Sequence, residues 1–348
     1  MLKHFAAALA LLFTFSSGTQ AQTIVNGAGA TFPFPLISKW SSEYHKLKPD
    51  VQINYQSIGS GGGIRQLLAG TVNFGASDAP LTDEQIADAK KAHGDVIHLP
   101  ETLGAVVVVY NIPGVNETLR FDGPTIADIF LGKITAWNDR RIKDLNPKVK
   151  LPSTRIIVAH RADGSGTTYI LADYLSKVSP EWGDKVGKST SLNWPAGIGA
   201  KGNEGVSGQV MRTPGAIGYV ELIYALQNNI SFADLKNPAG VFVHPSISGV
   251  TEALSNAAKT LPEDLRFSIT NAPGKDSYPI SSATWLIVYR EQANYHQGKS
   301  VVDFIRWVVT EGQKYSTDLD FAPLPMQIQQ LNIAKLKEVT YNGKSLLE

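Results

Sequence analysis

Apolar and polar positions change places in short blocks along the chain, and the blocks predict alternating strands and helices, the pattern of an α/β fold. Val51-Gln52-Ile53-Asn54-Tyr55 reads as a strand that runs into Gly59-Ser60-Gly61-Gly62-Gly63, after which Ile64 to Leu68 begins a helix. Phe74-Gly75-Ala76 predicts a short buried strand ending at Ser77-Asp78-Ala79-Pro80, and Asp83 to Lys91 a polar helix. The unbroken valines at 106–109, within Gly104–Tyr110, predict a central strand buried on both faces.

A second unit follows the same plan. Thr125–Leu131 predicts a helix, Ile156–Ala159 a strand, and Thr168–Val178 an apolar helix after the turn Asp163-Gly164-Ser165-Gly166-Thr167. Ala216–Val220 and Thr284–Tyr289 are further strands, and Val301–Thr310 is an amphipathic helix. The strands around Gly104–Tyr110 and Thr284–Tyr289 are the expected crossings between two domains. On that reading residues 22–112 plus 277–348 form a first α/β domain, and residues 113–276 a second one inserted into it. A chain of 348 residues is long enough for two cores.

The N-terminus has the layout of an export signal: Lys3 and His4, an apolar run from Phe5 to Phe15, then small and polar residues up to a cut after Ala21. The apolar run is shorter than the roughly 20 residues that span a bilayer. Residues 1–21 are therefore expected to be removed, leaving 31 basic and 31 acidic side chains once Lys3 is lost. This balance gives no reason to expect nucleic acid or an anionic membrane as partner. Cysteine is absent, which excludes disulfides, thiol catalysis, cysteine metal sites and a lipid-modified cysteine. A free exported protein retained behind an outer barrier places the expectation in the periplasm.

Three stretches share one design, glycine and a hydroxyl residue at the mouth of a helix: Gly27-Ala28-Gly29-Ala30-Thr31-Phe32, Gly59-Ser60-Gly61-Gly62-Gly63, and Asp163-Gly164-Ser165-Gly166-Thr167. Free N–H groups and the positive dipole end suit such places to anions, although Ser and Thr are also ordinary N-caps. Open α/β sheets gather loops of this kind around one crevice. Arg161, four residues before Ser165, offers paired donors for an oxyanion. Asp163 either holds that guanidinium or caps the next helix. Asp78 is the oddity, because a carboxylate beside an anion repels it; an Asx-turn or helix cap near Pro80 is the plainer reading. Gly197-Ile198-Gly199-Ala200-Lys201-Gly202 matches a dinucleotide fingerprint, but without the strand that should precede it.

Four of these blocks together resemble the PstS family, the periplasmic phosphate-binding proteins of high-affinity ABC uptake systems. They are Gly27–Pro33, Ile58-Gly59-Ser60, Phe74-Gly75-Ala76-Ser77-Asp78-Ala79-Pro80 and Arg161-Ala162-Asp163-Gly164-Ser165-Gly166-Thr167; Lys201–Val206 and Pro214–Glu221 add to them. The resemblance covers nearly the whole chain beyond the signal. It implies a two-domain type II periplasmic-binding-protein fold with a hinge and an interdomain cleft, without cofactor, metal or catalysis. It implies phosphate contacts from Thr31, the Phe32 backbone, Ser60, Asp78, Arg161, Ser165, Gly166 and Thr167, with Asp163 pairing the arginine. Gly61 departs from the family, which often has serine there. The implied partners of this monomer are inorganic phosphate and membrane permease subunits driven by a cytoplasmic ATPase.

Asp78 then gains a purpose. Phosphate near neutral pH keeps a proton that a carboxylate can accept, whereas sulfate meets it oxygen to oxygen. A site built around one hydrogen bond can reject an analogue lacking it by about 10⁴–10⁵. Two other functions fit the same residues: an exported phosphate-ester hydrolase using Ser60 or Ser165, and a receptor for another tetrahedral oxyanion.

Overall fold

The computed structural model describes residues 22–257 and 261–347; the proposed export signal, residues 1–21, lies outside them. Nine strands form one sheet. Its main path runs Val51–Ser57, Thr23–Gly29, Phe74–Ser77, Ser281–Tyr289, Val96–Tyr110, Ala216–Glu221, Ile157–Arg161, Ile198–Ala200. The first three are parallel, as are the last three, and antiparallel pairings join the two groups in the middle.

Strand Val96–Tyr110 holds the halves together. Residues 96–105 pair with Ser281–Tyr289, and residues 106–110 pair with Ala216–Glu221. The apolar run predicted from Gly104 is thus only its second half. In the first half the register shifts beside the Trp285–Pro100 pair, where proline has no N–H to give. The Pro100 carbonyl instead accepts from Asn332 Nδ2 at 2.7 Å. The strand Ser281–Tyr289 pairs only within the first half of the sheet, so the returning chain enters that half just before Ser281.

Helices cover both halves. Phe34–Leu47 and Tyr295–Val309 bury Trp40, Tyr44 and Phe304 against Phe74 of the sheet. In the other half Phe130, Trp182 and Tyr219 pack around Trp194. Each fully buried large side chain contributes roughly 1.5–3 kcal/mol, and the two groups belong to one apolar cluster that runs through strand Val96–Tyr110. No helix among the described residues is long and apolar enough to cross a membrane.

Two helix starts differ from expectation. The helix read as beginning at Ile64 begins at Ser60, because Gly59 adopts φ +84° and turns the chain sharply out of the strand. The glycine-rich 197–202 stretch supplies the edge strand Ile198–Ala200 and then opens the helix Gly202–Arg212.

Candidate functional site

Every candidate residue sits at or just beyond the carboxyl end of a parallel strand, where open α/β sheets hold ligands. Thr31 and Phe32 follow Thr23–Gly29, Ser60 follows Val51–Ser57, and Asp78 follows Phe74–Ser77. Arg161 ends Ile157–Arg161, and the turn after it leads to Ser165, Gly166 and Thr167. The antiparallel middle of the sheet turns the two groups of strand ends toward each other. The result is a buried centre: Thr31, Phe32, Ser60, Asp78, Arg161, Ser165 and Thr167 are each no more than 3% exposed.

Side chains from the two halves touch there. Ser60 Oγ accepts from the Gly166 N–H at 3.0 Å and from the Asp78 N–H at 3.3 Å. It does not cap its own helix, so the hydroxyl is directed across the interface. Ser165 is a true N-cap, accepting from the Thr168 N–H at 3.0 Å. The helix Gly166–Val178 therefore opens with its N–H groups and dipole directed at Ser60 and Asp78. Glycine is required at 166: a Cβ would stand 2.5 Å from Ser60 Oγ and 2.6 Å from Asp78 Oδ2.

The two readings of Asp163 separate cleanly. Its carboxylate takes both arms of Arg161, Nε at 2.7 Å and Nη2 at 2.5 Å, while Ser165 does the capping. The Gly202 N–H supports Asp163 Oδ1 from behind at 3.1 Å. Burial pushes the Asp163 carboxyl upward, but the Arg161 hydrogen bonds and charge outweigh it and leave it below the usual range. The guanidinium is thus held in one orientation, with Nη1 3.4 Å from Thr167 Oγ1.

Asp78 is not a cap: the next helix, Asp83–Ala92, is capped by Thr82. Its carboxyl points into the centre, Oδ1 accepting from Thr284 Oγ1 at 3.1 Å and Oδ2 from Thr167 Oγ1 at 3.5 Å. Burial raises it to about 7, against the opposing pull of Arg161 and the hydroxyls. So a carboxyl that titrates near neutrality lies among groups that otherwise donate.

Four further residues complete the surroundings. Thr284 links Asp78 to the buried acid Glu101, and Tyr224 Oη donates to the Thr31 carbonyl at 2.5 Å. Asn203 contacts Thr31 and Thr167. Sequence reasoning did not single these out for the site; the only signal was the block Lys201–Val206, which carries no chemical motif. Among the described residues, Ser60 and Ser165 have no histidine or lysine in hydrogen-bond contact. No cluster of three His, Asp or Glu suited to a metal occurs among the described residues.

Residues 16–311 match the family model of the PBP superfamily domain. A phosphate-binding protein PstS from Xylella fastidiosa is 45% identical over 311 residues, covering 89% of this chain and 84% of that protein. The PstS of Pasteurella multocida is 44% identical over 345 residues, covering 98% of both. Among solved structures, a high-affinity periplasmic phosphate-binding protein bound with phosphate superposes with a TM-score of 0.75 at 22% identity, over 92% of this chain and 96% of that one. That likeness shows the fold, the two-domain type II periplasmic-binding-protein fold. The sequence identities go further: the chain belongs to the PstS family of phosphate-binding proteins.

Proposed function

We propose that this protein binds inorganic phosphate between its two domains and delivers it to an ABC transporter, without catalysing a reaction. The observation that carries the reading is Asp78, an acceptor set among donors. The hydroxyls of Thr31, Ser60, Ser165 and Thr167, the N–H groups of Phe32 and Gly166, and the guanidinium of Arg161 are the contacts that favour an oxyanion. Asp78 accepts the proton that phosphate retains and sulfate lacks. The relatives named as phosphate-binding proteins support this assignment.

We infer the domains to be residues 22–112 plus 277–348 and residues 113–276, with the last five residues of strand Val96–Tyr110 reaching across to pair with the second. The chain then works as a monomer in the periplasm, after loss of residues 1–21, and docks on permease subunits coupled to a cytoplasmic ATPase. The test is titration of phosphate, sulfate and arsenate into protein stripped of ligand, beside incubation with a chromogenic phosphate ester. Phosphate bound in preference to sulfate, with no ester cleaved, is the expected outcome. Ester turnover would establish the hydrolase, and equal binding of sulfate would establish a general oxyanion receptor.

A further inference from the structure

Asn203 lies second in the helix Gly202–Arg212 and is 0% exposed. Its Oδ1 accepts from the Glu221 backbone N–H at 3.0 Å. That bond decides which way the amide faces, because only the oxygen can stand opposite an N–H. The NH₂ group is therefore turned to the interface. There it reaches Thr31 Oγ1 at 2.7 Å and Thr167 Oγ1 at 3.2 Å, one hydroxyl from each half of the molecule.

A hydroxyl has two acceptor lone pairs and one proton. At Thr31 both lone pairs are taken by Asn203, from Nδ2 and from its backbone N–H at 3.2 Å. At Thr167 they are taken by Asn203 Nδ2 and by Arg161 Nη1 at 3.4 Å. Each threonine is left with nothing to offer except its proton. The Thr167 proton already has the Asp78 carboxylate as a neighbour, 3.5 Å away.

We propose that Asn203 is a positioning residue that fixes the Thr31 and Thr167 hydroxyls as donors toward the bound anion and couples closure to that polarity. The inference rests on the phosphate reading above. A free threonine hydroxyl can turn either its proton or a lone pair to a ligand. With Asn203 in place only the proton faces an oxyanion: the Thr167 hydroxyl, in the same half, is oriented before the ligand arrives, and the Thr31 hydroxyl is oriented as the two halves close.

The test is a mutant cycle on the full chain stripped of phosphate, with inorganic phosphate as the titrant and calorimetry as the readout. Asn203→Ala is expected to weaken binding about tenfold in the parent, the scale of one or two neutral hydrogen bonds. In a Thr31→Val, Thr167→Val background it should cost less than twofold, because the hydroxyls it orients are gone. The same tenfold loss in both backgrounds overturns the inference and leaves the phosphate reading intact. A parent that does not bind phosphate overturns both. Should Asn203→Ala fail to fold, Asn203→Asp keeps the shape and reverses the polarity. It is then expected to lose affinity about a hundredfold, and binding within threefold of the parent overturns the inference.

Discussion

Asp78 and Glu101 stand on either side of a single hydroxyl, with Thr284 Oγ1 3.1 Å from Asp78 Oδ1 and 3.2 Å from Glu101 Oε1. One hydroxyl proton cannot serve two ionised carboxylates. A proton on Glu101 resolves the conflict: Glu101 donates to Thr284, and Thr284 donates to Asp78, which stays an acceptor. Burial pushes Glu101 up to about 8, and the neighbouring charge of Asp78 adds to the shift.

This arrangement gives the ligand-free protein a pH-dependent stability. Asp78 and Glu101 have ordinary values of 3.8 and 4.5 and folded values of about 7 and about 8. Between those limits the folded state binds more protons than the unfolded one, so stability falls as pH rises. Below about 6.5 the buried neutral His98, held down to about 4, works in the opposite direction. Glu221, buried and held well above its ordinary value, adds to the fall, and the window free of His98 is pH 6.5 to 8.5. Thermal melts of stripped protein should show Tm falling across it, and Glu101→Gln should flatten the fall. A flat parent profile would mean that neither Asp78 nor Glu101 holds a proton in the folded protein across this window.

Selectivity should also change with pH. Below about 7 Asp78 carries the proton itself and can donate to sulfate. Phosphate loses little, because the shared proton sits either on the ligand or on the carboxyl. Sulfate affinity is expected to rise about tenfold between pH 8 and pH 5.5, following the protonated fraction of a group with that pKa. Asp78→Asn should bind sulfate better than the parent at pH 8 and lose this pH dependence. If the variant rejects sulfate as the parent does, the proton-reading mechanism is wrong.

Arg161→Ala removes the cation and strands Asp163. Breaking a buried ion pair from one side costs roughly 3 kcal/mol, and losing charged donors to phosphate should weaken binding about a hundredfold. Arg161→Ala with Asp163→Asn should recover most of the stability without the affinity. Chemical denaturation and phosphate titration of both variants separate the two effects. Recovery of affinity in the double variant would show that Arg161 does not touch the anion.

Gly166→Ala tests closure. Its Cβ would overlap Ser60 Oγ and Asp78 Oδ2 across the domain interface. Overpacking of this kind costs about 1–3 kcal/mol, hence a roughly ten- to hundredfold loss of phosphate affinity. The overlap is confined to the closed interface, so the ligand-free variant should melt within a few degrees of the parent. Small-angle scattering should show the parent contracting with phosphate and the variant contracting less. Equal contraction would remove the steric argument.

The blocks of strand and helix were legible in the chain because each half of the sheet is built from local units whose apolar faces repeat at the period of their element. Gly59, Ser60, Ser165 and Gly166 were legible as helix mouths too, since a sharp turn into a helix favours glycine and a hydroxyl residue there. Strand Val96–Tyr110 was only half visible. Pro100, Glu101 and Thr102 interrupt its apolar pattern, and their backbone and side-chain partners come from residues more than 180 positions away. Arg161 and Asp163 are two residues apart, yet apart from the family resemblance their residue types left two readings of Asp163 open, which the structure closes with Ser165 as the cap.

What the sequence determined alone was therefore the α/β plan, the lack of cysteine chemistry and the presence of helix mouths suited to an anion. Tertiary structure decided the rest. It set Asp78 among donors, placed Glu101 behind it across Thr284, and brought Asn203 between Thr31 and Thr167, which are 136 residues apart. The reason is physical: a buried acid or amide takes its protonation and direction from whatever is folded against it. Those partners belong to other strands, and no local pattern records them.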